Sequence, residues 1–176
     1  YFSLETLSET ITKAGYKILY TSKNFNHENY PVITLLAKKC ESVNIIYSND
    51  YDRARFLAIK YINKEKKTWI RIENKILERT NINSHTYIYG AGLHTTQLLS
   101  NTQISSKLNI LGLIDSSPTK WGKKISSYIC KNTDEINFNE NDTIIISSFA
   151  SEQEIYDNLT PLIHDGVKVI RLYHDQ

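Results

Sequence analysis

The sequence predicts an α/β fold, a small Rossmann-like parallel sheet preceded by a long helix and by an N-terminal helix and β-hairpin. Three observations lead to this prediction. From residue 86 onward, short β-branched segments alternate with single helical segments, which favours parallel strands joined by right-handed crossovers. Residues 51–80 contain neither glycine nor proline, which suits a long helix. A glycine-rich turn, Gly90-Ala91-Gly92, follows the first strand of the alternating part.

The first 48 residues predict a helix and short antiparallel strands. Residues 3–14 place apolar side chains three and four positions apart, on one helical stripe, namely Leu4, Leu7, Ile11 and Ala14. Ser3 suits the N-cap, and Gly15 suits a left-handed stop. Residues 16–22 and 32–38 read as two strands, with a polar loop between them, and residues 43–48 read as a third short strand.

Residues 51 to about 80 predict an amphipathic helix about 45 Å long at 1.5 Å per residue. Its apolar positions recur at helical spacing, with lysines and glutamates between them. The charged run at 64–67 is read as a solvated helix face, because a glutamate interrupts the lysines. We interpret this helix as a connector that ends at the Asn-rich residues 81–84.

The remaining residues predict alternating strands and helices, with strands at 86–89, 108–115, 125–130, 142–148 and 167–173. A helix at 93–100 follows the glycine turn. A second helix opens with Ser151 and Glu154, the spacing of a capping box. Pro161 interrupts or restarts that helix, with Thr160 as a second cap, and Gly166 ends it.

Charge and apolar patterning exclude several classes of function. Lysine plus arginine total 21 and aspartate plus glutamate total 19, a net charge of +2, so nothing global favours a nucleic-acid or membrane-surface partner. The apolar runs are strand-sized and no secretory signal is visible, which predicts a cytoplasmic protein. The chain contains no methionine, so residue 1 is read as lying within a longer or processed product.

The two cysteines, Cys40 and Cys130, lie far apart in strand-like segments. That spacing is neither a disulfide framework nor a metal-site pattern. We therefore expect reduced thiols and no bound metal.

The glycine turn and the strand ends form the one candidate site. In dinucleotide-binding folds the first glycine permits a tight turn, the second admits a phosphate, and the helix N-terminus supplies N–H donors. Thr95 stands where the third glycine of that pattern would be, and its β-branched side chain is expected to hold the helix away from the strand. Asp115 follows Gly90 by 25 residues, close to where a ribose-binding carboxylate would lie. The candidate ligand-binding residues are Gly90, Ala91, Gly92, Leu93, His94, Thr95, Asp115, Ser116, Ser147 and Ser148.

Two interpretations of this turn remain open. It binds a nucleotide or another phosphorylated ligand, or it needs glycine only for its backbone shape and binds nothing. No catalytic residue can be named, because the sequence places no nucleophile and base at a recognisable spacing.

Three N-terminal segments carry a family resemblance: Phe2-Ser3-Leu4-Glu5-Thr6-Leu7, Ala14-Gly15-Tyr16 and Ile33-Thr34-Leu35-Leu36-Ala37-Lys38-Lys39. They resemble the closing segment of a class I S-adenosylmethionine (SAM)-dependent methyltransferase domain. With the long helix and Tyr89-Gly90-Ala91-Gly92, the layout is similar to the C-terminal half of sugar C-methyltransferases. The resemblance implies a parent transferase of sugar or polysaccharide biosynthesis that uses SAM and a nucleotide-linked sugar. Its SAM loop and catalytic residues would precede Tyr1, so this chain alone is not expected to catalyse methyl transfer.

The resemblance implies three parts: residues 1–48 as the tail of a methyltransferase-like domain, 49–84 as the connecting helix and 85–176 as the Rossmann-like domain. Two alternatives stay open. One is an NAD(P)- or nucleotide-binding domain of another sugar-modifying enzyme. The other is a non-catalytic assembly module that forms homo-oligomers through the long helix.

Overall fold

A computed structural model describes residues 3–24, 32–40 and 51–174. The chain divides into two compact units, Tyr1–Asn63 and Lys64–Gln176. The expected strand at 43–48 lies outside the described residues. The fold class is as predicted, an α/β protein with a long helix and an N-terminal helix plus β-hairpin. The finer division at residues 48 and 84 stays a prediction.

The first unit contains helix α1 (Leu4–Lys13) and the antiparallel strands β1 (Tyr16–Asn24) and β2 (Val32–Lys39). Ser3 caps α1 as predicted: its hydroxyl accepts the Thr6 N–H at 3.1 Å, and its own N–H donates to the Thr6 hydroxyl at 2.9 Å. Gly15 follows with φ +85°, a conformation that glycine adopts without strain. No described residue of this unit is buried.

Helix α2 (Tyr51–Arg79) has nearly the predicted bounds. In the second unit its apolar stripe, Trp69, Ile72 and Ile76, is buried in the core. Spacings of three and four put these side chains on one face. This part of α2 therefore belongs to the packed domain and does more than connect.

The second unit is built on a sheet of six strands in the order β5-β6-β4-β3-β7-β8. Every neighbouring pair is parallel except β5 and β6. The strands are β3 (His85–Tyr89), β4 (Asn109–Ile114), β5 (Lys124–Ile125), β6 (Tyr128–Lys131), β7 (Thr143–Ile146) and β8 (Lys168–Arg171). The helices are α3 (Leu93–Asn101), α4 (Ile104–Lys107), α5 (Glu152–Asn158) and α6 (Thr160–His164).

Several local predictions are wrong. The single strand expected at 125–130 is a hairpin of β5 and β6, because Ser126 turns the chain with φ +54°, so the sheet is mixed. The capping box at Ser151 does not form, since its side chain caps nothing and its N–H donates to the Ser148 hydroxyl at 3.3 Å. Leu159, not Thr160, occupies the N-cap of α6.

Apolar side chains cover both faces of the sheet. One face packs Ile88, Leu113, Ile145 and Ile170 against α2, α3 and α4. The other packs Tyr87, Tyr89, Ile144 and Ile146 against α5, α6 and the segment around Phe138. Cys130 is buried as a free thiol. Within the described ranges, no helix has the length and apolar character needed to cross a bilayer.

Candidate functional site

The carboxyl ends of the central strands bring the predicted site residues together. Strand β3 lies between β4 and β7, and the chain adds β4 on one side of it before it adds β7 on the other. Crossovers that leave in opposite directions open a crevice at this edge of a parallel sheet. The glycine turn follows β3, Asp115 follows β4 and Ser147 follows β7.

Gly90 is required by the backbone. Its φ is +108°, and a Cβ there would stand 2.8 Å from the Ser147 carbonyl oxygen. The Gly90 N–H donates to the Ile114 carbonyl at 2.7 Å, and the Ser147 N–H donates to the Tyr89 carbonyl at 2.7 Å. The turn is therefore tied to both neighbouring strands, and this glycine is explained without a ligand.

Gly92 is different, because nothing in its packing requires glycine. Its φ is −136°, and a Cβ there would meet no atom within 4 Å. Gly92 is the N-cap of α3 and provides no side-chain cap. The N–H groups of the first helical turn have no intrahelical partners, and they lie at the positive end of the helix.

Asp115 supports the turn from the end of β4. The carboxylate is almost fully buried. Its Oδ2 accepts the Ala91 N–H at 2.7 Å and the Lys120 ammonium at 2.8 Å, and its Oδ1 accepts the Ser117 N–H at 2.9 Å. Burial alone raises the pKa of Asp115, but these hydrogen bonds and the Lys120 charge outweigh it and hold the pKa below its ordinary value.

These three donors bear on the expected ribose contact. A carboxylate that binds a ribose needs acceptor positions aimed at two neighbouring hydroxyls. Most of the acceptor capacity of Asp115 is already used by the turn and by Lys120. Asp115 thus holds the glycine turn in shape, which makes a ribose-binding role less suitable.

Thr95 lies at the junction of α3 and the glycine turn, and the expectation that it holds the helix away from the strand stays a prediction. Its side chain is fully buried. The hydroxyl donates to the Gly90 carbonyl, and it lies 2.9 Å from the Ser147 hydroxyl. A threonine here connects α3 to the turn and to β7 by hydrogen bonds, where a glycine would allow only close packing.

His94 is half-buried and is not a simple surface residue. Its Nδ1 lies 2.8 Å from the Ser147 hydroxyl, and its Nε2 pairs with the Tyr173 hydroxyl. The Trp69 ring lies 5.6 Å from the imidazole. Burial lowers the pKa of His94, and the Glu152 charge opposes that shift only in part.

The geometry of the Ser147–His94 contact is not that of a catalytic pair. Ser147 is 4 % exposed, so its hydroxyl is largely shielded from solvent. The other ring nitrogen faces Tyr173, where a triad would place a carboxylate. We interpret Ser147 and His94 as a structural link between β7 and α3.

The remaining predicted residues lie at the same edge with fewer contacts. Ser116 is exposed, and Ser148 accepts the Ser151 N–H. Sequence reasoning missed Lys120, Tyr173 and Glu152. Lys120 carried a detectable signal, because it follows Asp115 within a turn-rich segment. No sequence signal points to Tyr173 or Glu152. Tyr173 pairs with His94, 79 residues away, and the partners of Glu152 lie 20 or more residues away.

Glu152 is the most deeply buried ionisable side chain at this edge, with no exposed surface. Its oxygens accept the N–H groups of Leu172, Tyr173 and His174 and the Nδ1–H of His174, at 2.5 to 2.9 Å. Burial alone raises the pKa of Glu152, but these donors lower it overall. Glu152 thus fixes residues 172–174, called here the C-terminal hook, beside His94.

The described part of the chain contains no group of three His, Cys, Asp or Glu residues able to hold a metal ion. What the edge does offer is backbone N–H donors, one lysine and an open position at Gly92. Such an arrangement can bind an anionic group, most readily a phosphate.

Comparison with known proteins identifies one family. Residues 82–170, just over half of the chain, match the family described as C2185-like, N-terminal. The matched range includes the glycine turn, Asp115, Ser147 and Glu152. The searches of curated proteins and of solved structures found no significant match. The chain belongs to the C2185-like family.

Proposed function

We propose that the second unit of this C2185-like protein binds the phosphate of a nucleotide-linked sugar at the N-terminus of α3. The observation that carries the proposal is the open position at Gly92. Its backbone angles are ordinary, and a Cβ added there would meet no atom within 4 Å apart from its chain neighbours. Glycine is accepted at an N-cap, and the absence of a side chain there also leaves room for a phosphate to approach the N–H groups of residues 93–95.

The charges at the edge support an anionic ligand. Asp115 would repel a phosphate, but the Lys120 ammonium lies 2.8 Å from its Oδ2 and compensates it. The positive end of α3 then acts without a nearby unpaired carboxylate. The site binds and orients its ligand, and no side chain at it is assigned to bond making or breaking.

A thermal-shift screen with UDP, UDP-linked sugars, NAD, NADP and SAM tests this proposal. A ligand at 100 times its Kd stabilises the folded state by about 2.7 kcal/mol. We expect stabilisation by a nucleotide-linked sugar and its loss in Gly92→Val, where the new side chain fills the phosphate position. Gln97→Val, on an exposed position of the same helix, controls for the helix propensity of valine. Equal binding by wild type and Gly92→Val would contradict the site.

An NAD(P)-binding domain is the second candidate, favoured by the position of Asp115 at the end of β4. The three donors already on that carboxylate count against it. Stabilisation by NAD alone, abolished in Asp115→Ala, would place this candidate first.

For the parent protein, we propose a SAM-dependent methyltransferase of cytoplasmic sugar or polysaccharide biosynthesis. The exposure of the first unit supports it, since Leu19, Tyr20 and Leu36 on its hairpin are each more than half exposed. An isolated two-stranded hairpin is marginal in water, so these side chains suit the end of a larger domain. Calorimetry of this chain with SAM should show no binding, and micromolar affinity would contradict this assignment.

Self-association through α2 is the remaining candidate for the first unit. Its apolar residues Phe56, Leu57, Ile59, Tyr61 and Ile62 are about half exposed or more. Light scattering across a hundredfold range of concentration should then show a dimer that Ile59→Glu dissociates. A monomer at every concentration would refute it.

A further inference from the structure

Phe149 is a large apolar side chain at the edge where the proposed phosphate site lies. It is 43 % exposed and follows Ser147 by two residues, a span of at most about 7 Å between Cα atoms. Ser147 itself contacts His94 in the first turn of α3. The Phe149 ring is linked to the first turn of α3 through Tyr173, whose ring it contacts and whose hydroxyl pairs with His94.

The Phe149 ring is supported from behind. The Tyr173 ring packs against it edge-on, with centroids 4.9 Å apart and an interplanar angle of 85°. Tyr173 is in turn held by its hydroxyl on His94 and by its N–H on Glu152. An aromatic surface fixed in this way loses little conformational freedom when a second ring stacks on it.

The buried carboxylate of Glu152 holds Tyr173, the residue that packs against Phe149. A carboxylate without exposed surface is costly unless donors surround it, and here the C-terminal hook supplies them. The hook has no α-helix or strand of its own beyond Arg171. Glu152 thus holds the backbone of Tyr173, whose ring packs against Phe149.

We propose that Phe149 is the surface on which the base of the bound nucleotide stacks. The inference rests on the proposed function, and it adds that the site selects a nucleoside phosphate over a phosphate that carries no base. Stacking on an aromatic side chain tolerates any base, because every base has a π-face. The exposed Leu93 side chain, at the first position of α3, adds a second apolar contact on the same edge.

Isothermal titration of the full chain with UDP and with inorganic pyrophosphate tests the inference. We expect the wild type to bind UDP more tightly than pyrophosphate. Phe149→Ala should weaken UDP binding by about tenfold, within the range measured for base stacking, and leave pyrophosphate binding unchanged. Phe149→Trp should retain UDP binding, because the larger ring still stacks. Ile82→Ala, which removes an exposed apolar side chain before β3, should change neither ligand.

The outcomes separate this inference from the proposed function. If pyrophosphate binds, depends on Gly92 and is bound as tightly as UDP, the phosphate site stands and the base-stacking surface is wrong. The base-stacking surface is also wrong if Phe149→Ala binds UDP as tightly as the wild type does. If neither UDP nor pyrophosphate binds, both proposals are overturned.

Discussion

Replacing Gly90 by alanine should destabilise the second unit far more than the same change at Gly92. At Gly90 the residue would have to keep a φ of +108° and place a Cβ 2.8 Å from the Ser147 carbonyl oxygen. That oxygen belongs to backbone fixed by the hydrogen bond from the Ser147 N–H to Tyr89. It cannot move away without disturbing the β3 and β7 pairing.

The magnitude follows from two contributions. A non-glycine residue in a sparsely populated conformation costs about 1–3 kcal/mol, and overpacking a well-packed site costs about 1–3 kcal/mol more. Gly90→Ala should therefore lose about 2–6 kcal/mol, a large share of the typical 5–15 kcal/mol of a domain. Gly92→Ala meets no neighbour and keeps ordinary angles, so its change should stay within about 1 kcal/mol, the scale of an N-cap substitution.

Urea unfolding followed by tryptophan fluorescence measures the stability difference between Gly90→Ala and Gly92→Ala in the second unit of the protein. The chain has 2 tryptophans, Trp69 and Trp121, and both lie in Lys64–Gln176. With a urea dependence of about 1–3 kcal/mol per M, a loss of about 2–6 kcal/mol should lower the Gly90→Ala midpoint by about 0.7 M or more. Equal midpoints for the two alanine variants would refute the reasoning that assigns Gly90 to the backbone and Gly92 to the ligand.

Three further results are expected. Glu152→Gln should lower the unfolding free energy by about 1–3 kcal/mol, because it leaves N–H donors of the C-terminal hook unsatisfied. The pKa of Glu152 in the folded state lies below 4.5, so the stabilisation by its charge is complete above pH 4.5 and is lost as the pH falls through the folded pKa. Over that pH range the urea midpoint of the wild type should therefore fall more steeply than that of the variant. Thr95→Val, nearly equal in volume, should cost about 1–3 kcal/mol, because it leaves the Gly90 carbonyl without its donor and the Ser147 hydroxyl without its Thr95 partner. A change below a few tenths of a kcal/mol would show that the Thr95 hydroxyl is not needed. His94 should titrate below its ordinary pKa of 6.5 in a nitrogen-detected NMR titration, whereas a midpoint at or above 6.5 would contradict its burial between Trp69 and Tyr173.

Periodicity and turn chemistry were sufficient for most of the architecture. The stripe of α2, the Ser3 cap and the glycine turn are local patterns, and the structure has each nearly where the sequence predicts it. The hairpin of β5 and β6 was missed because Ser126 adopts a positive φ, which no serine signals in advance. The capping box at Ser151 is absent because the Ser151 backbone has φ −111° and ψ 16°, not the extended conformation typical of an N-cap, and sequence spacing alone does not reveal that conformation.

The candidate site was predictable at the glycine turn and less so around it. The order of strands and helices places Gly90, Asp115 and Ser147 at one edge by general rules of parallel sheets. The roles of these residues depend on contacts between distant segments, as with Lys120 beside Asp115 and Tyr173 beside His94. Such contacts surround Asp115 with donors from the turn and from Lys120, and they give Thr95 partners in the turn and at the end of β7.

The central claim is that a phosphate-bearing nucleotide sugar binds at the N-terminus of α3. The most direct measurement is an amide NMR titration of the isotopically labelled chain with a UDP-linked sugar. We predict that the largest shifts fall on the N–H groups of residues 92–95, and that Gly92→Val abolishes them. The claim is contradicted if the shifts instead fall on the hairpin of β1 and β2, or if saturating ligand leaves the amides of residues 92–95 unchanged.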